Sequence, residues 1–214
     1  MRVRSGDLTS AVIVVFGLAI AGPAAAACDS ANALFEDNFE SLDPVWGAAD
    51  NGMSAKDGSL VIKPAAGYWR FVPSESDLYQ DVSVCVDATI AAAPKEDASS
   101  LGILFWFADW NNVYIFEYYA TGAFAVERLS KGKWLLPVPY TENPAIKKGV
   151  GQTNQLEVKM KGKQATIFIN GTQVAQFKGV APPDGGKVGL AGVSPAEGVA
   201  TYKFQNFIVS EPSP

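Results

Sequence analysis

Glu117 and Glu127 carry the most suggestive spacing for chemistry in this sequence of 214 residues. If the chain reverses at Ala120-Thr121-Gly122, the two fall on adjacent strands as diagonal neighbours on one face, where two long carboxylates can approach each other. A carboxyl pair held about 5 to 5.5 Å apart serves retaining glycoside hydrolysis as nucleophile and general acid, which makes both residues catalytic candidates. Charged residues on a solvated sheet face are also ordinary, so a purely structural use stands beside the catalytic one. Trp106 and Trp110, in LGILFWFADWNN, form a second set, because flat indoles stack on sugar rings while neighbouring polar groups take the hydroxyls. With Ile103, Phe105 and Phe107 turned to a core, alternation places Trp106 on the exposed face and Trp110 in the loop at its end. Arg128 is expected to hydrogen-bond hydroxyls or carboxylates, with Arg70 and Lys131 as alternatives. The expected ligand-binding set is therefore Trp106, Trp110, Glu117, Glu127 and Arg128, while Trp46 and Trp134 are expected to pack.

Composition removes most other chemistry. Histidine is absent, which excludes Ser-His-Asp triads, Cys-His dyads and His-based metal sites. Two cysteines cannot build a four-cysteine cluster. A net charge of −5 gives no counterion-release drive towards nucleic acid, so no nucleic-acid partner is expected. No cofactor is expected.

The elements that must position these residues are strands. Beyond residue 30 the hydrophobic period is two, in short β-branched and aromatic runs divided by Gly, Asn, Asp and Pro, and no convincing amphipathic helix appears. Thirteen strands are predicted, the first near Leu34-Phe39 and the last near Thr201-Ser210, with Tyr140 to Thr153 as a loop crossing between sheets. Many short strands at this spacing indicate an antiparallel sandwich or barrel, in one domain. Two hairpins can be placed. Asn170-Gly171 suits a two-residue turn with positive φ at both positions. Ala120-Thr121-Gly122 suits a three-residue loop, which sets Tyr118 opposite Phe124, Phe116 opposite Val126 and Tyr114 opposite Arg128. That register sends Tyr114, Phe116, Tyr118, Phe124 and Val126 to the core. Ile115, Glu117, Ala125 and Glu127 go to the other face, expected to be exposed, where substituting Glu117 should be nearly neutral for folding.

The N-terminus reads as an export signal covering residues 1–27. Arg2 and Arg4 precede the apolar run Ala11 to Ala21, Gly22-Pro23 breaks it, and Ala24 to Ala27 supply a small-residue cleavage site. The run is short of the roughly 20 residues a membrane span needs, and no other segment comes close. A periplasmic or secreted protein is expected, beginning at Cys28. In an oxidising compartment Cys28 and Cys85 can form one disulfide, the favoured reading. The competing use of Cys28 is as the acylated first residue of a lipoprotein, against which Ala25 stands where such signals carry Leu.

The segments LFEDNFESLDPVWG, KDGSLVIKP, NVYIFEYYATGAFAVERLSKGKW, NQLEVKMKGKQATIFINGTQVAQF, GGKVGLAG and YKFQNFIVS together resemble a bacterial laminin-G-like, concanavalin A-like jelly roll. Among such proteins the chain is similar to the exported 3-keto-disaccharide hydrolase domain family. The resemblance spans nearly all of residues 28–214 and implies an all-β, antiparallel two-sheet jelly-roll sandwich. It is specific for fold and weak for activity. The family-16 glucanases share this jelly roll, but their Glu-x-Asp-x-x-Glu strand motif is missing here: Glu117 is followed by Tyr118 and Tyr119, and Glu127 by Arg128 and Leu129. The resemblance implies a carbohydrate ligand, with a non-catalytic binding module, a glycoside or keto-sugar hydrolase, and a structural or interaction protein as the three classes in play. It also makes a structural calcium possible, since Asp37, Asn38 and Asn206 would meet if the first and last strands pair. A monomer is expected.

Overall fold

The computed structural model describes Cys28 and residues 30–212, so the export signal expected over residues 1–27 lies outside the described residues. Cys28 is joined to Cys85, as favoured, and the sulfur that an acyl chain would need is engaged in that bond. Fourteen strands form among the described residues: β1 (Ala33–Asp37), β2 (Met53–Lys56), β3 (Ser59–Ile62), β4 (Trp69–Pro73), β5 (Ser83–Ala92), β6 (Ser100–Asp109), β7 (Asn112–Tyr119), β8 (Ala123–Ser130), β9 (Lys133–Glu142), β10 (Thr153–Lys161), β11 (Gln164–Ile169), β12 (Thr172–Lys178), β13 (Lys187–Val193) and β14 (Thr201–Ser210). The one helical turn among the described residues is Pro44–Trp46, which Asp43 caps by accepting from Val45 N at 2.9 Å. The predicted crossing loop is shorter than expected, because β9 runs on to Glu142 and only residues 143–152 lead from it to β10.

The strands make two antiparallel sheets of a jelly-roll sandwich. The larger runs β12-β11-β10-β5-β14-β3-β2, with β1 beside β14, and the smaller runs β4-β13-β6-β7-β8-β9. Between them lies the main core, to which the strands contribute alternate residues: Val84, Val86 and Ala88 from β5, Tyr114, Phe116 and Tyr118 from β7, Leu156 and Val158 from β10, and Phe204 from β14.

Both expected turns are present. Asn170 and Gly171 stand at φ 50° and 77°, the mirror-image turn that matches strand twist, and β11 pairs with β12 directly across it. Gly122, at φ 92°, closes the β7–β8 hairpin, and the pairs Tyr118–Phe124, Phe116–Val126 and Tyr114–Arg128 form as expected. The inward face is also as expected, with Tyr114, Phe116, Tyr118, Phe124 and Val126 all buried in the main core.

The outward face of that hairpin differs from expectation. Ile115, Glu117 and Ala125 are buried rather than exposed, and Glu127 is partly buried. Leu104, Phe107, Val113, Ile115 and Ala191 make a second apolar cluster there, against which Trp69, Phe71 and Leu129 pack. The cause is curvature. Trp69 on β4 and Trp134 on β9 belong to opposite edges of a six-stranded sheet, roughly 24 Å apart if the sheet were flat at about 4.8 Å per strand. Their rings nevertheless stack at 5.8 Å. The smaller sheet therefore curls away from its partner until side chains from its two edges meet, and its outer face becomes a furrow with a partly enclosed floor.

Candidate functional site

The furrow is the candidate site. Its floor carries the carboxyl pair, placed by the β7–β8 register: Glu117 lies opposite Ala125 and Glu127 opposite Ile115, so the two are diagonal neighbours on one face as the spacing predicted. Their surroundings are unequal. Glu117 has no exposed surface; its Oε1 accepts from the Tyr119 hydroxyl at 2.6 Å and its Oε2 from the Ser100 hydroxyl. Burial, and then the neighbouring Glu127 charge, push the Glu117 carboxyl up to about 7, against the two hydrogen bonds that favour its ionised form. Burial raises Glu127 too, and burial with the adjacent Glu117 raises the Tyr119 phenol. The furrow thus holds below a closed carboxyl of raised proton affinity, each of its oxygens accepting one hydrogen bond, and beside it a partly open one.

Aromatic side chains form the walls. Trp134, 46% exposed, stacks on the half-buried Trp69, and Trp69 in turn packs on Phe71. Trp110, 62% exposed, stands edge-on to Phe107 of the second cluster at 5.2 Å. Tyr140 meets Tyr119 edge-on at 5.1 Å and shares a hydrogen bond with Thr121 at 2.8 Å.

The five residues nominated from sequence do not all share this surface. Trp110, Glu117 and Glu127 do. Trp106 is turned the other way: it is 2% exposed and packs in the main core, 5.2 Å edge-on to Tyr114. The reason is a β-bulge. On β13, Lys187 pairs with Phe107 and Gly189 with Leu104, so Phe105 and Trp106 together oppose Val188, and the backbone of Trp106 stands at φ 45°. Alternation is broken at that point and both Phe105 and Trp106 face inward. Arg128 is likewise on the inward side, its guanidinium 5.1 Å above the Tyr114 ring. Of the alternatives, Arg70 is paired with Asp50 at 2.9 Å.

Trp46 packs as expected, buried and donating its indole N–H to Asp37 Oδ2 at 2.7 Å. Trp134, expected to pack, is the one that combines a stacked partner with an open face. Sequence reasoning missed Trp69, Trp134 and Tyr140 as furrow walls, because each comes from an edge strand and meets its partner only through curvature.

Asp37, Asn38 and Asn206 do meet around one cleft of about 360 Å³, since β1 pairs with β14 and sets Asp37 opposite Phe207. Asp37 is already committed there, Oδ1 to Phe39 N at 2.7 Å and Oδ2 to Trp46. No group of three or more acidic or Cys side chains suited to a metal occurs among the described residues. No helix among the described residues is long and apolar enough to cross a membrane.

No protein-family model matches the sequence, and no curated protein matches it. Solved structures do match in fold. Carbohydrate-binding module CBM66 from Bacillus subtilis aligns over 82% of this chain and 94% of its own at TM-score 0.51 and 17% identity. The catalytic domain of an endo-1,3-beta-glucanase (laminarinase) from Thermotoga petrophila aligns over 85% and 98% at TM-score 0.59 and 9% identity. The GH43 protein BlXynB from Bacillus licheniformis reaches TM-score 0.64 at 15% identity, over 86% of this chain and 40% of that one. The class so defined is the jelly-roll sandwich shared by carbohydrate-binding modules and glycoside hydrolases.

Proposed function

We propose that this is an exported carbohydrate-binding jelly roll whose ligand lies in the furrow of the smaller sheet. The observation that carries the reading is the stacked Trp69–Trp134 pair at the furrow mouth, with one indole left 46% exposed. An indole held rigidly by another and open on one side offers a flat apolar platform at little entropic cost, and the partly open Glu127 carboxyl beside it accepts from ring hydroxyls. Trp110 extends the platform. Export is supported by the leader-like N-terminus and by the Cys28–Cys85 disulfide.

Binding is favoured over hydrolysis by the state of Glu117. Both its oxygens are occupied and its surface is closed, so it can offer neither a free nucleophile nor a proton to a glycosidic oxygen. The hydrolase reading, including the 3-keto-disaccharide activity that the sequence resemblance implies, rests on the two carboxyls with raised proton affinity sharing one face.

Calorimetric titration with neutral oligosaccharides tests the proposal. Micromolar to millimolar dissociation constants are expected for an open platform. Trp134→Ala abolishes binding and leaves the melting temperature almost unchanged. Affinity surviving both Trp134→Ala and Trp110→Ala would place the site elsewhere, and release of reducing or keto-sugar that Glu127→Gln eliminates would establish the hydrolase.

A further inference from the structure

β9 is an edge strand of the smaller sheet and β12 an edge strand of the larger, and the two edges lie on one side of the sandwich. Between them opens a crevice of about 410 Å³, which Leu135, Leu136 and Pro137 of β9 line together with Lys178 and Val180. Its aliphatic side chains are open to solvent: Leu135 is 49% exposed, Leu136 51% and Val180 59%. Adjacent large apolar residues on a bare strand edge are what sheets in water ordinarily avoid.

Cations ring this patch. Arg128 stands directly opposite Leu135, Lys131 and Lys133 are exposed at the tip of the β8–β9 hairpin, and Lys178 ends β12. The Arg128 guanidinium is held 5.1 Å above the Tyr114 ring, whose hydroxyl accepts from Val180 N at 2.9 Å, so this charge is fixed in place. Among the described residues none of the four makes an ion pair, those being formed by Arg70, Lys95, Lys148, Lys159 and Lys187. No carboxylate among the described residues lines the crevice, and residues 128–140 include no Asp or Glu. The 109–112 turn, which hydrogen-bonds the hairpin tip through Asn112, sets one carboxylate, Asp109, against the four cations. In a chain of net charge −5 the sign is locally reversed.

What covers such a face must bring negative charge and apolar contact together. A further strand is disfavoured, because Pro137 and Pro139 offer no N–H to a neighbour and prolines stand in edge strands with that side outward. A second copy is disfavoured as well, since a two-fold contact would set the patch against itself, four cations facing four. We propose that this edge is a membrane-docking face, separate from the furrow on the outer side of the smaller sheet, which seats on a bilayer containing anionic phospholipid. Leu135, Leu136 and Val180 enter the boundary between headgroups and acyl chains, while Arg128, Lys131, Lys133 and Lys178 meet phosphate oxygens around them. A bilayer needs no matched shape, and lysine stems lie along the apolar patch while their ammonium groups reach the headgroups.

Flotation of the disulfide-bonded protein with lipid vesicles tests this. At least ten-fold more protein is expected to bind vesicles of mixed phosphatidylcholine and phosphatidylglycerol than vesicles of phosphatidylcholine alone, and raising NaCl from about 0.1 to about 0.5 M should remove most of the difference. Leu135→Ser/Leu136→Ser, changed at two exposed positions, is expected to keep its melting temperature and to bind the mixed vesicles at least ten-fold more weakly. Lys131→Gln/Lys133→Gln is expected to fold and to weaken binding to the same vesicles at least ten-fold. Absence of binding to either vesicle, equal binding to both, or undiminished binding by the folded Leu135→Ser/Leu136→Ser protein overturns the proposal. So does sedimentation velocity that finds a dimer which this double variant converts to monomer, because a second copy would then be what covers the patch.

Discussion

The Tyr119 hydroxyl lies 2.6 Å from Glu117 Oε1, two residues along one strand and on one face, and with Ser100 it closes off a carboxyl that has no solvent contact. The bonds would suit a carboxylate, yet burial and Glu127 keep the proton on until about pH 7. A folded-state acid with raised proton affinity binds a proton that the unfolded chain has released, so stability is greatest below the ordinary value of 4.5 and falls as pH rises to about 7. The loss is about 3 kcal/mol, by about 1.4 kcal/mol per pH unit. Glu117→Gln, which stays neutral and keeps a polar partner for both hydroxyls, should flatten this decline when melting temperatures are compared between pH 4 and 8. An unchanged slope would show that other groups set it.

Glu117→Ala should behave quite differently from Glu117→Gln. It leaves the Ser100 and Tyr119 hydroxyls without their acceptor inside the fold, at a cost of about 1–3 kcal/mol. The near-neutrality expected from sequence applied to an exposed face and does not hold for a buried one. Urea unfolding of the two variants side by side separates the effects.

On the other side of the same strand, Phe116→Ala should cost about 3–5 kcal/mol, because the ring is completely buried between the sheets. Denaturant midpoints measure this directly.

The Cys28–Cys85 bond closes 57 residues of chain. A loop of this length lowers the entropy of the unfolded state enough to stabilise by about 4 kcal/mol in the chain-entropy model. Intact mass should fall by about 2 Da relative to the dithiol, since a disulfide removes two hydrogens. Reduction should lower the unfolding midpoint.

Asn154 is completely buried, its Oδ1 accepting from Lys147 N at 2.8 Å and from Asn170 Nδ2 at 2.8 Å, while Asn170 also donates to Ala145 O at 2.7 Å. These bonds tie the 143–152 connection to the β11–β12 turn. Asn154→Ala should therefore destabilise by about 1–3 kcal/mol, and hydrogen exchange should quicken locally at residues 145–147.

The β7–β8 register was legible because turn chemistry and alternation are local: Gly122 fixes the loop, and one set of side chains is then uniformly apolar. The fate of the opposite set was only half written. Leu104, Val113, Ile115 and Ala125 form a stripe too apolar for a solvated face, a signal that both faces are covered. What covers them depends on Trp69 and Trp134, some 65 positions apart in sequence, and no local pattern announces that meeting. The Trp106 bulge was illegible for another reason. Leu104 to Phe107 is apolar throughout, so no change of pattern marks a break in alternation, and the extra residue shows only against β13, where Val188 alone stands against two residues.

β14 pairs with β1, β3 and β5, so the larger sheet is joined at its middle by the strand that comes last in chain order among the described residues. Until Thr201–Ser210 emerges, β3 and β5 present unpaired edges next to an uncovered apolar layer, the condition in which chains join one another edge to edge. Most of the contacts that β14 makes span more than a hundred residues, which gives the fold a high contact order and makes assembly late rather than progressive. A topology of this kind delays closure of the larger sheet until β14 is available, so the core between the sheets is completed in one late step rather than strand by strand.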